Sequence, residues 1–243
     1  MSLKKIARKN VDSIILALSH RWYCWFKEAG VFLEEHIRLH NKRCVTVYAN
    51  FTRLLNRRNT RLWAMFDSIF DSHIPSRLKQ HPEKVVFVGV GSGAHFANAL
   101  ADHWARRYIR DDNQTFECFA YAERDPLTDY FVFGRHQSEI VKGKIVIVVD
   151  DVLVSGATLS RLCTLVIASD GTIEKCLVLL NRSRKRRERL PVGKRRIRLD
   201  ALCHHYIPSF TTKRCPMCRK KIDWSKETSR GLQAFHLGEQ PSR

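Results

Sequence analysis

The chain has 243 residues, a length that favours one well-cored domain with extensions. Lysine and arginine total 43 against 24 acidic residues, and the net charge of +19 predicts attraction to a polyphosphate: nucleic acid, an anionic membrane surface or a phosphorylated substrate. Although 44% of the residues are hydrophobic, no stretch approaches the roughly 20 apolar residues that a membrane helix needs. We therefore predict a cytoplasmic protein with no membrane partner.

The first 80 residues mix helical and extended patterns. Residues 3–29 carry apolar positions at helical spacing among lysines and arginines, which predicts an N-terminal helical segment over residues 1–29. The alternation in "CVTVYAN", Cys44 to Asn50, predicts a short strand. Residues 53–80 predict helices with a turn near Ile74–Ser76.

From Lys84 onward, near-continuous apolar strands alternate with amphipathic helices. Strand patterns occur in "KVVFVGVG", "FECFAYAER", "DYFVFGRH", "GKIVIVVDD" and "IEKCLVLLNR", and helical patterns in "AHFANALADHWARRYI" and "ATLSRLCTLVIASDG". This alternation predicts an α/β fold with a central, mainly parallel sheet flanked by helices. In such sheets ligands bind beyond the carboxyl ends of the strands, where two polar turns fall.

The first turn, Gly89–Ala94, admits more than one interpretation. It fits the dinucleotide fingerprint G-x-G-x-x-G/A because it follows a strand and opens a helix. The next candidate acid, Glu123, lies about 30 residues further on, later than the roughly 20 expected for a ribose ligand. The glycines also suit a tight strand-to-helix turn without any ligand.

The second turn follows two adjacent acids, Asp150 and Asp151, at the end of an apolar strand. Its small and hydroxyl residues, Ser155–Thr158, leave backbone amides uncovered where a helix begins, which favours a phosphate monoester. Carboxylates would repel that phosphate but accept hydrogen bonds from vicinal ribose hydroxyls. The pattern predicts a sugar 5-phosphate ligand; the alternative is a pair of acids that caps the following helix.

The stretch "VIVVDDVLVSGATL" resembles the 5-phosphoribosyl-1-diphosphate (PRPP) signature of type I phosphoribosyltransferases. The earlier turn, "VGVGSGAHFANALA", is similar to the pyrophosphate loop of that family. The resemblance implies the type I phosphoribosyltransferase fold over residues 30–200, with a small N-terminal hood region and a basic C-terminal extension, and it implies a homodimer. The residues it assigns to PRPP binding are Val154, Ser155, Gly156, Ala157, Thr158, Ser92, Gly93 and Ala94.

Within the family, the orotate phosphoribosyltransferase branch is the most similar. The order of elements in "YAERDPLTDYFVFGRHQSEIVKGKIVIVVDD" and the ending "IPSFTTKRCPMCRKKI" resemble members of that branch, and the likeness spans about residues 25–223. Two features depart from it. His40–Cys44 stands where orotate enzymes have a Ser-Gly turn beside the base, and only residues 134–138 occupy the place of a long mobile loop.

The resemblance implies transfer of phosphoribosyl from PRPP to a nucleobase-like acceptor, with release of pyrophosphate. We expect Asp150 and Asp151 to bind the ribose hydroxyls, and Arg124 and Arg135 to face the leaving group. Mg²⁺ is expected to be held mainly by the oxygens of PRPP, since it keeps most of its waters and takes few protein ligands.

Residues 182–198 hold ten lysines or arginines against one acid. A solvated charged ribbon or loop is one interpretation; non-specific contact with DNA or RNA phosphates is the other. The candidate contact residues are Arg184, Lys185, Arg186, Arg187, Lys194, Arg195 and Arg196. The charge, with the altered base-side segment, favours an alternative function: a PRPP- or nucleotide-binding regulator or effector subunit of a nucleoprotein complex, for example in a defence system.

The eight cysteines are scattered, which predicts reduced thiols rather than a disulfide framework. Only the C-terminal extension, residues 201–243, raises a metal question. There Cys215 and Cys218 have the C-x-x-C spacing of a zinc knuckle, and Cys203 with His205 are the candidates to complete four ligands. The same pair without a metal is the alternative.

Overall fold

The structure is a computed structural model that describes residues 19–39, 42–55, 60–109, 116–128, 130–134, 136–184 and 186–225. No helix within these ranges is long and apolar enough to cross a membrane.

The N-terminal part combines helices with two very short sheets. Helix α1 covers residues 19–28 of the described chain. Strands β1 (Phe32–Leu33) and β4 (Tyr48–Ala49) pair antiparallel, as do β2 (Ile37–Arg38) and β3 (Cys44–Val45). We call these two sheets the hood. The predicted strand from Cys44 to Asn50 is therefore divided, because β3 and β4 have different partners.

Helices α2 (Thr52–Leu55), α3 (Thr60–His73) and α4 (Ser76–Lys79) follow, with the chain turning at Ile74–Pro75 as predicted. The core domain then contains β5 (Val85–Val90), α5 (Ser92–Tyr108), β6 (Phe119–Arg124), β7 (Phe131–Val132), α6 (Gln137–Val141), β8 (Ile145–Leu153), α7 (Ala157–Ala168) and β9 (Thr172–Asn181). The chain continues with β10 (Arg189–Val192), β11 (Arg195–His204) and α8 (Pro216–Arg219).

The central sheet has seven strands in the order β10-β11-β9-β8-β5-β6-β7. Neighbouring strands from β11 to β6 run parallel, and β10 and β7 are antiparallel edges. The predicted α/β fold with a mainly parallel sheet is confirmed. The carboxyl ends of β5, β6, β8, β9 and β11 consequently meet at one edge of the sheet.

The two sheet faces bury two apolar layers, and β8 shows why. Ile147 and Val149 pack toward α1, α3 and α5, whereas Val146 and Val148 pack toward α6 and α7. Strand side chains alternate between faces, so a continuous β-branched run fills both layers.

The basic stretch forms the hairpin β10–β11. Arg189 pairs with Arg198 and Val192 with Arg195, and the turn lies at Gly193, whose φ is +54°. Pro191 belongs to β10, where its missing N–H is tolerated because β10 is an edge strand. Since β11 pairs with β9, the domain boundary predicted at residue 200 falls inside a strand.

Candidate functional site

Two loops meet at the carboxyl edge of the sheet. One joins β5 to α5, and the other joins β8 to α7. Because β5 and β8 are direct neighbours, with Gly89 opposite Val149, the loops lie side by side. The two turns that the sequence predicts as ligand loops are therefore brought together by strand pairing.

Glycine in the first loop permits this close approach. A Cβ atom on Gly93 would lie 2.8 Å from the Val149 carbonyl oxygen and 2.9 Å from Asp150 Oδ1. A Cβ on Gly89 would lie 2.5 Å from the Gly93 carbonyl oxygen. Any larger residue would push the loop away from β8. The Ser92 side chain, which begins α5, hydrogen-bonds to the Asp151 carboxylate and so links the two loops.

Asp150 and Asp151 form an acid pair in which Asp150 is buried and Asp151 is half-buried. Asp150 is 9% exposed, and burial, followed by the negative charge of Asp151, holds its pKa well above the usual range. Burial also raises the pKa of Asp151, although its hydrogen bond from Ser92 opposes the shift. Within the described ranges, no Lys, Arg or His forms an ion pair with either carboxylate. The two carboxylates thus offer several hydrogen-bond acceptor oxygens that no cation among the described residues neutralises.

The second loop presents uncapped backbone amides beside this acid pair. Gly156 adopts a left-handed conformation with φ of +86°, which a side chain would strain. Helix α7 starts at Ala157 without a side-chain N-cap; the Ala157 N–H donates to Ser155 Oγ over 3.3 Å. Residues Val154–Thr158 therefore form an anion cradle at a helix N-terminus, next to carboxylates.

The hood adds Tyr48 to this edge. Burial, and then the negative charge of Asp151, raises the pKa of Tyr48 to about 12, while the charge of Arg182 acts in the opposite direction. Tyr48 is thus near enough to feel the charges of both Asp151 and Arg182, and its phenol stays protonated at neutral pH. Sequence reasoning missed Tyr48, because the alternating pattern of Cys44 to Asn50 predicts only a strand.

Asn181 and Arg182, at the end of β9, were missed by sequence reasoning. Asn181 lies opposite Leu153 of β8, at the same sheet edge. Asn181 Nδ2 and Arg182 Nε are buried donors without a hydrogen-bond partner among the described residues. Arg182 is anchored through Nη2, which donates to the Ile207 carbonyl over 3.0 Å. Such unpaired donors are costly unless a ligand satisfies them.

A cleft of about 830 Å³ extends from Val154 and Ser155 along the basic hairpin, and we call it the arginine cleft. Its arginines are Arg43, Arg182, Arg184, Arg186, Arg187, Arg189 and Arg196. Arg187 connects the cleft to the anion cradle, since its Nη1 donates to the Ser155 carbonyl over 2.6 Å. Among the described residues that line it, Glu188 is the only acid, so the cleft is strongly cationic.

Of the two arginines predicted to face the leaving group, Arg124 ends β6 at this sheet edge, with its guanidinium carbon 5.5 Å from the centre of the Phe131 ring. Arg135 lies outside the described residues, as does Lys185 among the predicted nucleic-acid contacts. Lys194 and Arg195 lie at the turn of the basic hairpin, away from the cleft lining.

The structure supports two of the four predicted zinc ligands as members of one cluster and excludes the other two. Cys215 and Cys218 do lie in a metal-competent cluster, but its other members are His36 and Cys44. Cys203 is fully buried within β11, and His205 stacks on Tyr23 with ring centroids 4.1 Å apart. These two residues point into the packing against α1 and are not available to Cys215 and Cys218.

The family model of the phosphoribosyl transferase domain matches residues 79–197, which contain both ligand loops. Among solved structures, orotate phosphoribosyltransferase from Aeropyrum pernix superposes with a TM-score of 0.54 at 20% identity, covering 74% of this chain and 90% of that one. Adenine phosphoribosyltransferase from Saccharomyces cerevisiae gives 0.46 at 16% identity, covering 67% and 89%. UMP synthase from Leishmania donovani gives 0.47 at 13% identity, covering 89% of this chain and 42% of that one. No curated protein sequence matches this chain significantly.

Proposed function

The chain belongs to the type I phosphoribosyltransferase family, and we propose that it transfers the phosphoribosyl group of PRPP to a nucleobase-like acceptor. The main observation behind the proposal is that two glycine-containing loops meet at Asp150 and Asp151, with which no cation in the described part of the chain forms an ion pair. A ligand with a phosphate, vicinal hydroxyls and a second anionic group matches this arrangement, and PRPP has all three.

Each part of PRPP has a matching group. Val154–Thr158 would bind the 5-phosphate through backbone amides, and Asp150 with Asp151 would accept hydrogen bonds from the ribose hydroxyls. The amides and hydroxyl of the Ser92–Ala94 loop would bind the pyrophosphate. The hydroxyl donors of ribose would replace the missing cations and lower the repulsion between the two carboxylates.

Catalysis then consists of positioning and charge stabilisation. When pyrophosphate leaves C1, positive charge develops on the ribose ring and negative charge on the leaving group. The two carboxylates lie on the ribose side, while Arg124 and Arg135 are proposed to act on the leaving-group side. Holding donor and acceptor in one orientation supplies much of the rate enhancement.

Mg²⁺ fits this site as an ion held mostly by the substrate. Within the described part of the chain, the one group of three or more metal-ligating side chains is the Cys-rich cluster, so no protein cage of carboxylates surrounds Asp150 and Asp151. Bound with PRPP, Mg²⁺ would neutralise charge on the pyrophosphate. Asp150 and Asp151 would orient the ribose that carries it.

The acceptor is proposed to lie near Tyr48, Asn181 and Arg182. The unpaired donors on Asn181 and Arg182 favour an acceptor that presents oxygen atoms, because these satisfy donors that are otherwise buried without partners. Tyr48 offers a ring surface against which a flat base can pack. The change at His40–Cys44 leaves the identity of the base open, so orotate is one member of the panel to test.

Calorimetry with PRPP and Mg²⁺ tests donor binding, and pyrophosphate release with orotate, uracil, adenine, guanine and hypoxanthine tests transfer. We expect binding by the wild type and none by Asp150→Asn with Asp151→Asn. Asp102→Asn, on the exposed face of α5 in a surface ion pair with Arg106, is the matched control and should bind normally. Absence of PRPP binding by the wild-type protein would overturn the proposal.

The arginine cleft favours a second candidate function, a PRPP-dependent regulator or effector that associates with nucleic acid. Its cations exceed what one phosphate needs, and they are contiguous with the anion cradle. Contact would be mainly to phosphates, since arginines on a hairpin carry no defined base-reading motif. DNA or RNA binding should therefore weaken steeply with salt.

Fluorescence anisotropy with DNA and RNA oligonucleotides, at a series of salt concentrations, distinguishes the two functions. Replacing Arg184 and Arg186 with serine should weaken binding and flatten its salt dependence, whereas replacing Arg106 on α5 should not. Base-dependent pyrophosphate release by a protein that binds neither oligonucleotide would remove the second candidate.

A further inference from the structure

Four side chains with metal-binding atoms meet where the hood contacts the C-terminal segment. They are His36, Cys44, Cys215 and Cys218, and their ligand atoms all lie within 4.8 Å of one another. His36, Cys44 and Cys215 are buried, and Cys218 is partly exposed. The cluster is separate from the acid pair and the arginine cleft, and the transfer reaction makes no use of it.

Three of the six distances between the ligand atoms are close to those of a tetrahedron around zinc, and all six are within 4.8 Å. Cys44 Sγ and Cys218 Sγ are 3.6 Å apart, and His36 Nε2 lies 3.4 Å from Cys215 Sγ and 3.3 Å from Cys218 Sγ. Zinc bonds of about 2.3 Å to sulfur and about 2.1 Å to nitrogen place two sulfurs about 3.8 Å apart and sulfur about 3.6 Å from nitrogen. A disulfide, in contrast, needs sulfurs at about 2.05 Å.

The hydrogen bonding of His36 selects the ring form that binds a metal. His36 Nδ1 lies 2.8 Å from the Ile222 carbonyl oxygen, which only accepts, so Nδ1 carries the proton. The neutral ring then has its lone pair on Nε2, the atom that faces the sulfurs. A ligating histidine held by a backbone carbonyl through its other nitrogen is the usual outer arrangement of zinc sites.

The turn at Cys215 is shaped to support a thiolate. The backbone N–H groups of Met217 and Cys218 hydrogen-bond to the Cys215 sulfur. Such amides stabilise negative charge on sulfur, which a metal-bound cysteine carries. The pair Cys163 and Cys176 provides an internal contrast, because their sulfurs lie 3.4 Å apart in the core but no third ligand joins them among the described residues.

We propose that His36, Cys44, Cys215 and Cys218 bind one structural Zn²⁺ ion. Three sulfurs and one imidazole complete a closed tetrahedral set, which leaves no open position for chemistry. Soft thiolate ligands with an imidazole favour zinc over Mg²⁺ or Ca²⁺. The site is independent of the transfer reaction.

The ion joins two parts of the chain that are distant in sequence. The backbones of Cys44 and Phe210 already form two hydrogen bonds of 2.8 Å, and Arg43 donates to Ser209 Oγ over 2.9 Å. Zinc would stabilise this contact. It would also fix the position of Arg43, which lines the arginine cleft, and of the β2–β3 hairpin that precedes Tyr48. Because a preformed site rarely exists in the unfolded chain, its binding energy adds to folding stability.

Metal content of the purified full chain, measured by inductively coupled plasma mass spectrometry, tests the proposal. We expect one zinc ion per chain in the wild type and its loss in Cys44→Ala and Cys215→Ala. Cys203→Ala and Cys176→Ala remove equally buried thiols outside the cluster and should retain the zinc. Zinc retained in both ligand variants would overturn the assignment.

X-ray absorption at the zinc edge of the wild-type protein covers the case in which the ligand variants do not fold. We expect three sulfur neighbours and one nitrogen, and a lower melting temperature after removal of the metal by a strong chelator. A zinc-free protein from zinc-supplemented medium, a different metal in the site, or a Cys44–Cys218 disulfide found by mass spectrometry would each contradict the proposal.

Discussion

On β11 one largely buried acid is surrounded by cations, whereas at the carboxyl end of β8 two acids lie side by side without a cation among the described residues. Asp200 on β11 accepts from the fully buried Lys175 Nζ over 2.7 Å, and His73 Nδ1 lies 3.3 Å from the same oxygen. Lys175 also donates to the His73 carbonyl. Asp150 and Asp151 have no such cations among the described residues.

The pKa shifts of the two regions have opposite signs. Burial alone would raise the pKa of Asp200, but hydrogen bonds from His73 and Lys175 outweigh burial and hold it well below the usual range. Burial and mutual repulsion raise the pKa of Asp150. The charges of Asp200 and its cations therefore stabilise the fold, while Asp150 and Asp151 carry charge that destabilises the protein until a ligand binds.

The largest expected effect comes from breaking the compensated acid. Asp200→Asn leaves the Lys175 ammonium buried without its counter-charge, and we expect a loss of about 3–5 kcal/mol in the free energy of unfolding. Urea denaturation measures it. Asp102→Asn removes an exposed i,i+4 pair and should cost no more than about 0.5 kcal/mol. Equal losses of unfolding free energy in Asp200→Asn and Asp102→Asn would show that Asp200 is no more important for stability than an exposed acid.

The uncompensated acid should respond in the opposite direction. Asp150→Asn replaces a repelling carboxylate with an amide that donates to Asp151, so we expect a gain of about 1 kcal/mol in unfolding free energy. The same change removes a charged acceptor for ribose and should weaken PRPP binding by about 30-fold. Denaturation and calorimetry on one preparation check both values. A destabilised variant would show that the acid pair supports the fold.

The pH dependence of these two variants sharpens the comparison. The pKa of Asp150 is raised on folding, so its contribution to stability is present below the unfolded pKa and is lost as pH rises through the folded pKa. The gain from Asp150→Asn should hence be largest at pH 8 and shrink toward pH 5. The pKa of Asp200 is lowered, so its contribution persists above pH 5 and is lost only in stronger acid. A gain from Asp150→Asn that grows toward low pH would contradict this assignment.

The local motifs of the carboxyl end could be predicted from the sequence, because each lies within one strand and the turn after it. Asp150, Asp151 and the Ser92–Ala94 loop needed only the rule that parallel strands end at one edge. Gly93 was placed in the correct loop, but its contact with Val149 required the register between β5 and β8.

Long-range partners could not be predicted in the same way. His36 and Cys44 are distant in sequence from Cys215, so the sequence favours the nearer Cys203 and His205 as zinc ligands, whereas the fold places these two against α1. Arg182 is one of many cations in a basic stretch, and only burial distinguishes it from solvated neighbours. An arginine or asparagine that directly ends an apolar strand at the ligand edge is the signal that was missed.

The smallest expected effect compares two arginines, one beside the anion cradle and one beside Asp200. Arg187 Nη1 donates to the Ser155 carbonyl at the anion cradle, and Arg198 Nε donates to Asp200 Oδ1 over 2.9 Å. Arg187→Ser should weaken PRPP binding by about fivefold while changing stability by less than about 0.5 kcal/mol, because it orients a loop that matters only with ligand bound. Arg198→Ser should lower stability by about 0.5–1 kcal/mol and leave PRPP binding unchanged, because its partner belongs to the compensated acid. Calorimetry measures PRPP binding and denaturation measures stability in both variants. If each substitution changed PRPP binding and stability to the same extent, the two arginines would not have separate roles.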